Sequence, residues 1–143
     1  MATTTNLLLP YPALSDPNNP PSDFQKLAAR LDSLLEPTLT TVNSATGFGG
    51  SFKVYKNALW VNCTAIGVSN SGGTLSGNTS YLVATLPTAL CPPIEVYVPV
   101  FYGMTQAGSA TIYTNGQIKL WIPSGASMSN GKVIALNATW PAK

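Results

Sequence analysis

Histidine is absent from this 143-residue chain, cysteine occurs twice, and charged side chains make up only 8% of it. Each shortage removes a class of function. Without histidine there is no Ser-His-Asp or Cys-His arrangement, and the side chain most often used as a general base is missing. Metal sites lose their main nitrogen ligand, and two cysteines alone do not build a structural zinc site. A glycosidase places two carboxylates about one bond, yet beyond residue 36 the only acid is Glu95. The chain is therefore expected to be no enzyme and to hold neither metal nor cofactor.

Other absences narrow the partners. Lys53, Lys56, Lys119, Lys132 and Lys143 are scattered and form no basic stripe interleaved with aromatics, so nucleic acid is not an expected ligand. No run approaches the roughly 18 apolar residues of a membrane span. The opening "MATTTNLLLP" lacks a basic segment before its three leucines, unlike a secretion signal. A protein made in a cytoplasm is expected. Cys63 and Cys91 then read as free thiols rather than a disulfide. The Asn-x-Ser/Thr triplets at Asn62, Asn78 and Asn137 read as chance in a chain rich in those residues.

What is present is 45% apolar residues, an ordinary globular share. Isolated soluble domains usually carry many charges of both signs. A surface of Thr, Ser, Asn and Gly instead suggests a protein packed against others or inert outside. About half of the few charges fall in or just before one stretch, "PPSDFQKLAARLDSLLEP".

Four segments follow from the pattern. Residues 1–21 carry five prolines and no periodicity, which predicts an extended arm. Its apolar residues Leu7, Leu8, Leu9, Tyr11 and Leu14 are expected to dock in a groove of another protein, with folding back on the chain's own domain as the alternative. Residues 22–37 predict a short helix that Pro37 ends, with Ser22 as N-cap and Gln25 completing a capping box. Phe24, Leu27, Leu31 and Leu34 fall on one face at heptad a and d spacing. That stripe must be buried, because so short a helix is marginal alone. A seam between identical copies competes with packing on the chain's own sheet, and the seam is favoured. Residues 38–50, with glycines at 47, 49 and 50, read as a linker.

Residues 51–143 read as all-β, with seven short runs rich in Val, Ile, Thr, Tyr and Trp. The predicted fold is mainly β: arm, one helix, then a compact antiparallel β-sandwich of jelly-roll-like type. Asn115-Gly116 predicts a two-residue hairpin placing Tyr113 opposite Ile118 and Thr111 opposite Leu120. Ile94, Val96, Val98, Val100 and Tyr102 are expected to point inward from a strand that Pro99 confines to an edge or a bulge. Ile134, Leu136, Ala138 and Trp140 form the inward set of the last strand. Tyr81, Tyr102, Tyr113 and Trp121, with Tyr97 and Phe101 beside them, are candidate sugar-stacking rings. The competing assignment for each is core or subunit interface.

The stretch "LLLPYPALSDPNNPPSDFQKLAARLDSLL" resembles the opening of virion proteins of tailed bacteriophages, especially those of actinobacterial hosts. The shared pattern is Leu9 to Pro12, Asp16-Pro17, Pro21, and the helix start Asp23, Gln25, Leu27, Ala28. The second half is loosely similar to the β-sandwich knobs of phage tail and head fibres, through Leu86-Pro87, Ile94 to Tyr102 and Ile112 to Ile118. The resemblance implies a homotrimer on the virion surface, its N-terminus docked on capsid or tail proteins and its knob outward. No shaft or fibrous repeat separates arm from knob, which favours capsid decoration. The alternatives are a receptor-binding knob for host cell-surface carbohydrate, or a free carbohydrate-binding module.

Overall fold

The computed structural model describes residues 2–3, 10–11, 20–102 and 105–143. The chain divides into two units, Met1–Glu36 and Pro37–Lys143.

In the first unit, β1 (Ala2–Thr3) pairs antiparallel with β2 (Pro10–Tyr11), and α1 spans Pro20–Leu35. Leu7, Leu8, Leu9 and Leu14 lie outside the described residues, and Tyr11 is the partner of Ala2 in the short ladder. The helix starts two residues before the expected N-cap, so Ser22 stands inside the first turn. Prolines suit that position, since their missing N–H groups would have no intrahelical acceptor anyway. Asp23 lies in the first turn, where the helix dipole favours an acid, and its carboxylate is 4.0 Å from Lys26. The apolar stripe is largely bare: Phe24 is 68% exposed, Leu31 and Leu35 are exposed, and Leu27 and Leu34 are half-buried.

The second unit is a β-sandwich. Its strands are β3 (Thr38–Asn43), β4 (Phe48–Lys56), β5 (Trp60–Asn70), β6 (Leu75–Ser76), β7 (Thr79–Thr85), β8 (Val96–Tyr102), β9 (Thr105–Ile112), β10 (Gln117–Ile122), β11 (Ser127–Met128) and β12 (Asn137–Pro141). One four-stranded sheet runs β12-β5-β4-β3, the other β7-β10-β9-β8, and β6 pairs with β11. All pairings are antiparallel. The inner faces meet in one core in which Phe52, Val54, Ile112, Ile118, Leu120 and Val100 are fully buried. Short bridges stitch the sheets at both sides: Ser44 to Ala84 between the β3 and β7 edges, and Phe101 to Ala135 beside β8.

Residues 38–50 are not a linker. They form β3, a turn, and the start of β4. Thr38, Thr40, Thr41 and Val42 are β-branched strand formers, and the glycines serve geometry instead of freedom. Gly50 has φ +80°, and a Cβ there would stand 2.3 Å from the Gly67 carbonyl oxygen, at the register shift between Gly49 and Ser51.

The hairpin at Asn115-Gly116 is also one residue longer than expected. Tyr113 N–H donates to Gln117 at 2.9 Å and Gly116 N–H donates to Tyr113 at 2.9 Å. The loop is Thr114-Asn115-Gly116, with only the glycine at positive φ (+90°). This is the three-residue hairpin closed by a left-handed glycine. Its register puts Ile118 opposite Ile112 and Leu120 opposite Ala110, all facing the core, while Thr111 and Trp121 face outward. A slip of one residue reverses every side chain.

In β8, Val100 is fully buried and Val96 and Val98 are half-buried, but Ile94 and Tyr102 are exposed. Ile94 precedes the strand, and a register shift between Val100 and Phe101 breaks the alternation before Tyr102. Pro99 is both on an edge strand and next to that bulge, as its missing donor requires. Ile134, Leu136, Ala138 and Trp140 are all buried, the last with its indole N–H donating to Leu90 at 3.1 Å.

Candidate binding surfaces

The rings expected to form a ligand site do not share one surface. Tyr81 is half-buried against the core, and its hydroxyl accepts from Ser76 N–H at 2.8 Å and bonds Ser76 O at 3.2 Å, so it braces β6. Tyr102 is exposed, with Lys132 Nζ 4.6 Å from its ring centre. Tyr113 and Trp121 are both on the outer face of β7-β10-β9-β8, at opposite ends of the β9–β10 ladder. There Lys119 Nζ stands 5.3 Å over the Tyr113 ring, within cation–π range. Tyr97, opposite Thr111, is on the same face and donates its hydroxyl to Glu95 at 2.6 Å. That bond, and the carboxylate's charge beside it, push the Tyr97 hydroxyl above the ordinary tyrosine range.

The outer face of the other sheet carries an arrangement that sequence reasoning missed. In β5 the period of two sends Val61 and Cys63 into the core, so Trp60, Asn62 and Thr64 point outward. Antiparallel pairing with β12 sets Pro141 opposite Trp60, Thr139 opposite Asn62 and Asn137 opposite Thr64. Two Asn-x-Thr triplets, Asn62-Cys63-Thr64 and Asn137-Ala138-Thr139, thus meet head to tail. Asn62 Nδ2 donates to Asn137 Oδ1 and to Thr139 Oγ1, each at 2.8 Å, and Thr64 Oγ1 donates to Asn62 Oδ1 at 3.2 Å. Two of the three Asn-x-Ser/Thr triplets, those at Asn62 and Asn137, form a cross-strand ladder. A signal existed in their identical spelling, but their pairing spans 75 residues and is invisible locally.

Local structure fixes the ends of this ladder. Asn57 is buried, and its Oδ1 accepts from both Leu59 N–H and Trp60 N–H at 2.9 Å, holding the turn from which Trp60 emerges. A shallow cleft of about 360 Å³ is lined by Trp60, Asn62 and Thr139. A second, of about 310 Å³, is lined by Thr64, Asn137, Pro99 and Phe101 among others. Lys53 lies opposite Thr64, but its ammonium donates to Thr41 Oγ1 at 2.8 Å, on the side away from β12.

The cysteines take no part in either face. Both are free and buried, and burial pushes the Cys63 thiol up to about 12, so it stays protonated and unreactive in the folded protein. Among the described residues no group of three or more His, Cys, Asp or Glu is gathered as a metal site. No helix among the described residues is long and apolar enough to cross a membrane.

No protein-family model matches the chain, and no curated protein matches it. Among solved structures it is similar to the head domain of phage bIL170, one of the receptor-binding domains of lactococcal phages, with a TM-score of 0.61 at 19% identity. The alignment covers 76% of this chain and 100% of that domain. What it shows is the fold. The likeness extends over most of the chain.

Proposed function

We propose that this chain is a non-enzymatic surface protein of a tailed-phage particle whose β-sandwich recognises host cell-surface carbohydrate. The observation that supports it most is the fold likeness across the entire bIL170 head domain, a receptor-binding domain. The chemistry of the outer faces agrees: exposed rings beside amides and hydroxyls suit a neutral, hydroxyl-rich ligand, and the β-unit has a single acid to offer to catalysis. Its place is the virion surface after synthesis in the host cytoplasm.

Attachment falls to the first unit. The bare stripe Phe24, Leu27, Leu31 and Leu34 forms the seam of a homotrimer, and the arm residues Leu7, Leu8, Leu9, Tyr11 and Leu14 dock on capsid or tail proteins. Exposed apolar side chains at a and d spacing gain from burial against identical helices.

The deciding experiment compares binding of the purified protein to susceptible host cells with binding to capsids that lack it. Saturable binding to cells is expected. Binding to capsids alone would instead make the protein a head decoration. Leu27→Asp with Leu34→Asp is expected to convert trimers to monomers in sedimentation equilibrium; trimers that persist would move the assembly contact to the sheets.

A further inference from the structure

We infer that the outer face of β12-β5-β4-β3 carries a binding strip for a neutral oligosaccharide, running from Trp60 over the paired triplets to Phe101. The inference rests on the carbohydrate reading above and gives it a place that differs from the ring-bearing face.

The strip is shallow and its lining carries no charge. Its two clefts divide the ladder between them: Asn62 and Thr139 line one, Thr64 and Asn137 the other. Each cleft is lined by one aromatic ring, Trp60 (36% exposed) or Phe101 (40% exposed). A pyranose presents one face of C–H groups that packs on a ring and an equator of hydroxyls that needs donors and acceptors. Rings at the ends and amides between them meet both needs. From Trp60 to Thr64 the strand advances about 13 Å, and the Phe101 cleft lengthens the strip further, which suits a chain of several sugars better than one.

The ladder is also set before a ligand arrives. Asn62 uses its amide on Asn137 and Thr139, which fixes both partners' orientation. Those bonds use the Asn137 carbonyl oxygen and a Thr139 hydroxyl lone pair as acceptors, so the Asn137 Nδ2 donors and the Thr139 hydroxyl proton are not spent in them. A site with its side chains already held loses less freedom on binding. An anionic glycan is disfavoured, because the nearest cation on this face, Lys53, is turned to Thr41. A cationic one finds no acid, since Glu95 is bonded to Tyr97 on the opposite sheet.

The test uses the full-length protein with a panel of neutral oligosaccharides from bacterial envelopes, read by saturation-transfer NMR and by tryptophan fluorescence. Trp60→Ala and Asn137→Ala should each weaken binding about tenfold, and Trp121→Ala should leave it unchanged. Trp60→Phe, which keeps a ring, should retain most of the affinity and guards against a folding defect in the alanine variant. Loss in Trp121→Ala with retention in Trp60→Ala would move the site to the other face and overturn this assignment while leaving carbohydrate recognition intact. Variants that bind normally but change sedimentation would make the strip a subunit contact and overturn it too. A wild-type protein that binds host cells yet no neutral glycan would overturn the ligand class. Binding to neither would remove the carbohydrate reading altogether.

Discussion

On the outer face of β12-β5-β4-β3, amides and hydroxyls bond one another across strands; on the outer face of β7-β10-β9-β8, rings stand beside single charges. Both faces grow from the same alternation, and both cover the same core. The first has its polar geometry settled by the protein itself, through Asn62, Asn137, Thr64 and Thr139. Both expose apolar side chains, Leu39, Tyr55 and Ile66 on the first and Trp121, Leu82 and Tyr97 on the second, but the second holds only the pairs Lys119 with Tyr113 and Tyr97 with Glu95. Exposed apolar area rewards whatever covers it, with little direction. Fixed donors reward only a ligand that matches them. One backbone plan therefore supports a selective face and a permissive one.

The largest effect is expected where the ring-bearing face depends on its backbone. Gly108 in β9 sits so close to β10 that a Cβ would be 2.1 Å from the Trp121 carbonyl oxygen. Gly108→Val should cost about 3 kcal/mol in urea denaturation, and a cost near zero would mean the two strands are freer to part than their spacing indicates. On the ladder face, Asn62→Ala should cost about 1–2 kcal/mol, since a half-buried amide with several partners is lost. On the ring face, Trp121→Ala and Lys119→Ala should each stay within about 0.5 kcal/mol. Equal costs on the two faces would erase the distinction.

A double-mutant cycle sharpens it. Asn62→Ala with Thr139→Ala should show a coupling of about 1 kcal/mol, whereas Lys119→Ala with Tyr113→Phe should show almost none, because phenylalanine keeps the ring face. The smallest signal is a titration. Tyr97 should deprotonate above the ordinary tyrosine range in an NMR pH series, and Glu95→Gln should bring it back down. A raised folded value means that any contribution of this group to stability is complete below the unfolded tyrosine pKa and fades as pH rises towards the folded one. A Tyr97 unaffected by Glu95→Gln would place the cause elsewhere.

The strands beyond residue 51 were legible because their runs are long and rich in β-branched and aromatic residues. β3 was not, because only Val42 of its six residues is buried and its threonines look like loop. The same glycine that marked the 115–116 turn also misled: Asn-Gly suits a two-residue loop, but Gly116 also has to pass the Leu86 carbonyl oxygen, where a Cβ would stand at 2.5 Å. That tertiary contact, absent from local sequence, goes with the longer loop. Val100 was readable as inward; Tyr102, past the bulge, was not. At the candidate sites the rings were visible as residue types, but Tyr81's bonds to Ser76 and the meeting of residues 62 and 137 depend on distant chain. Trp60 escaped notice because, in sequence, it is one more apolar residue of a strand.

The position of β12 beside β5 has a consequence for biosynthesis. All of the β7-β10-β9-β8 sheet is spelled out between these two neighbours, so β5 keeps one side open until residues 137–141 have cleared the ribosome. Pairing over so long a separation is slow to form. The permissive face is spelled out within residues 79–122, and the selective one is zipped shut only after residues 137–141 follow it.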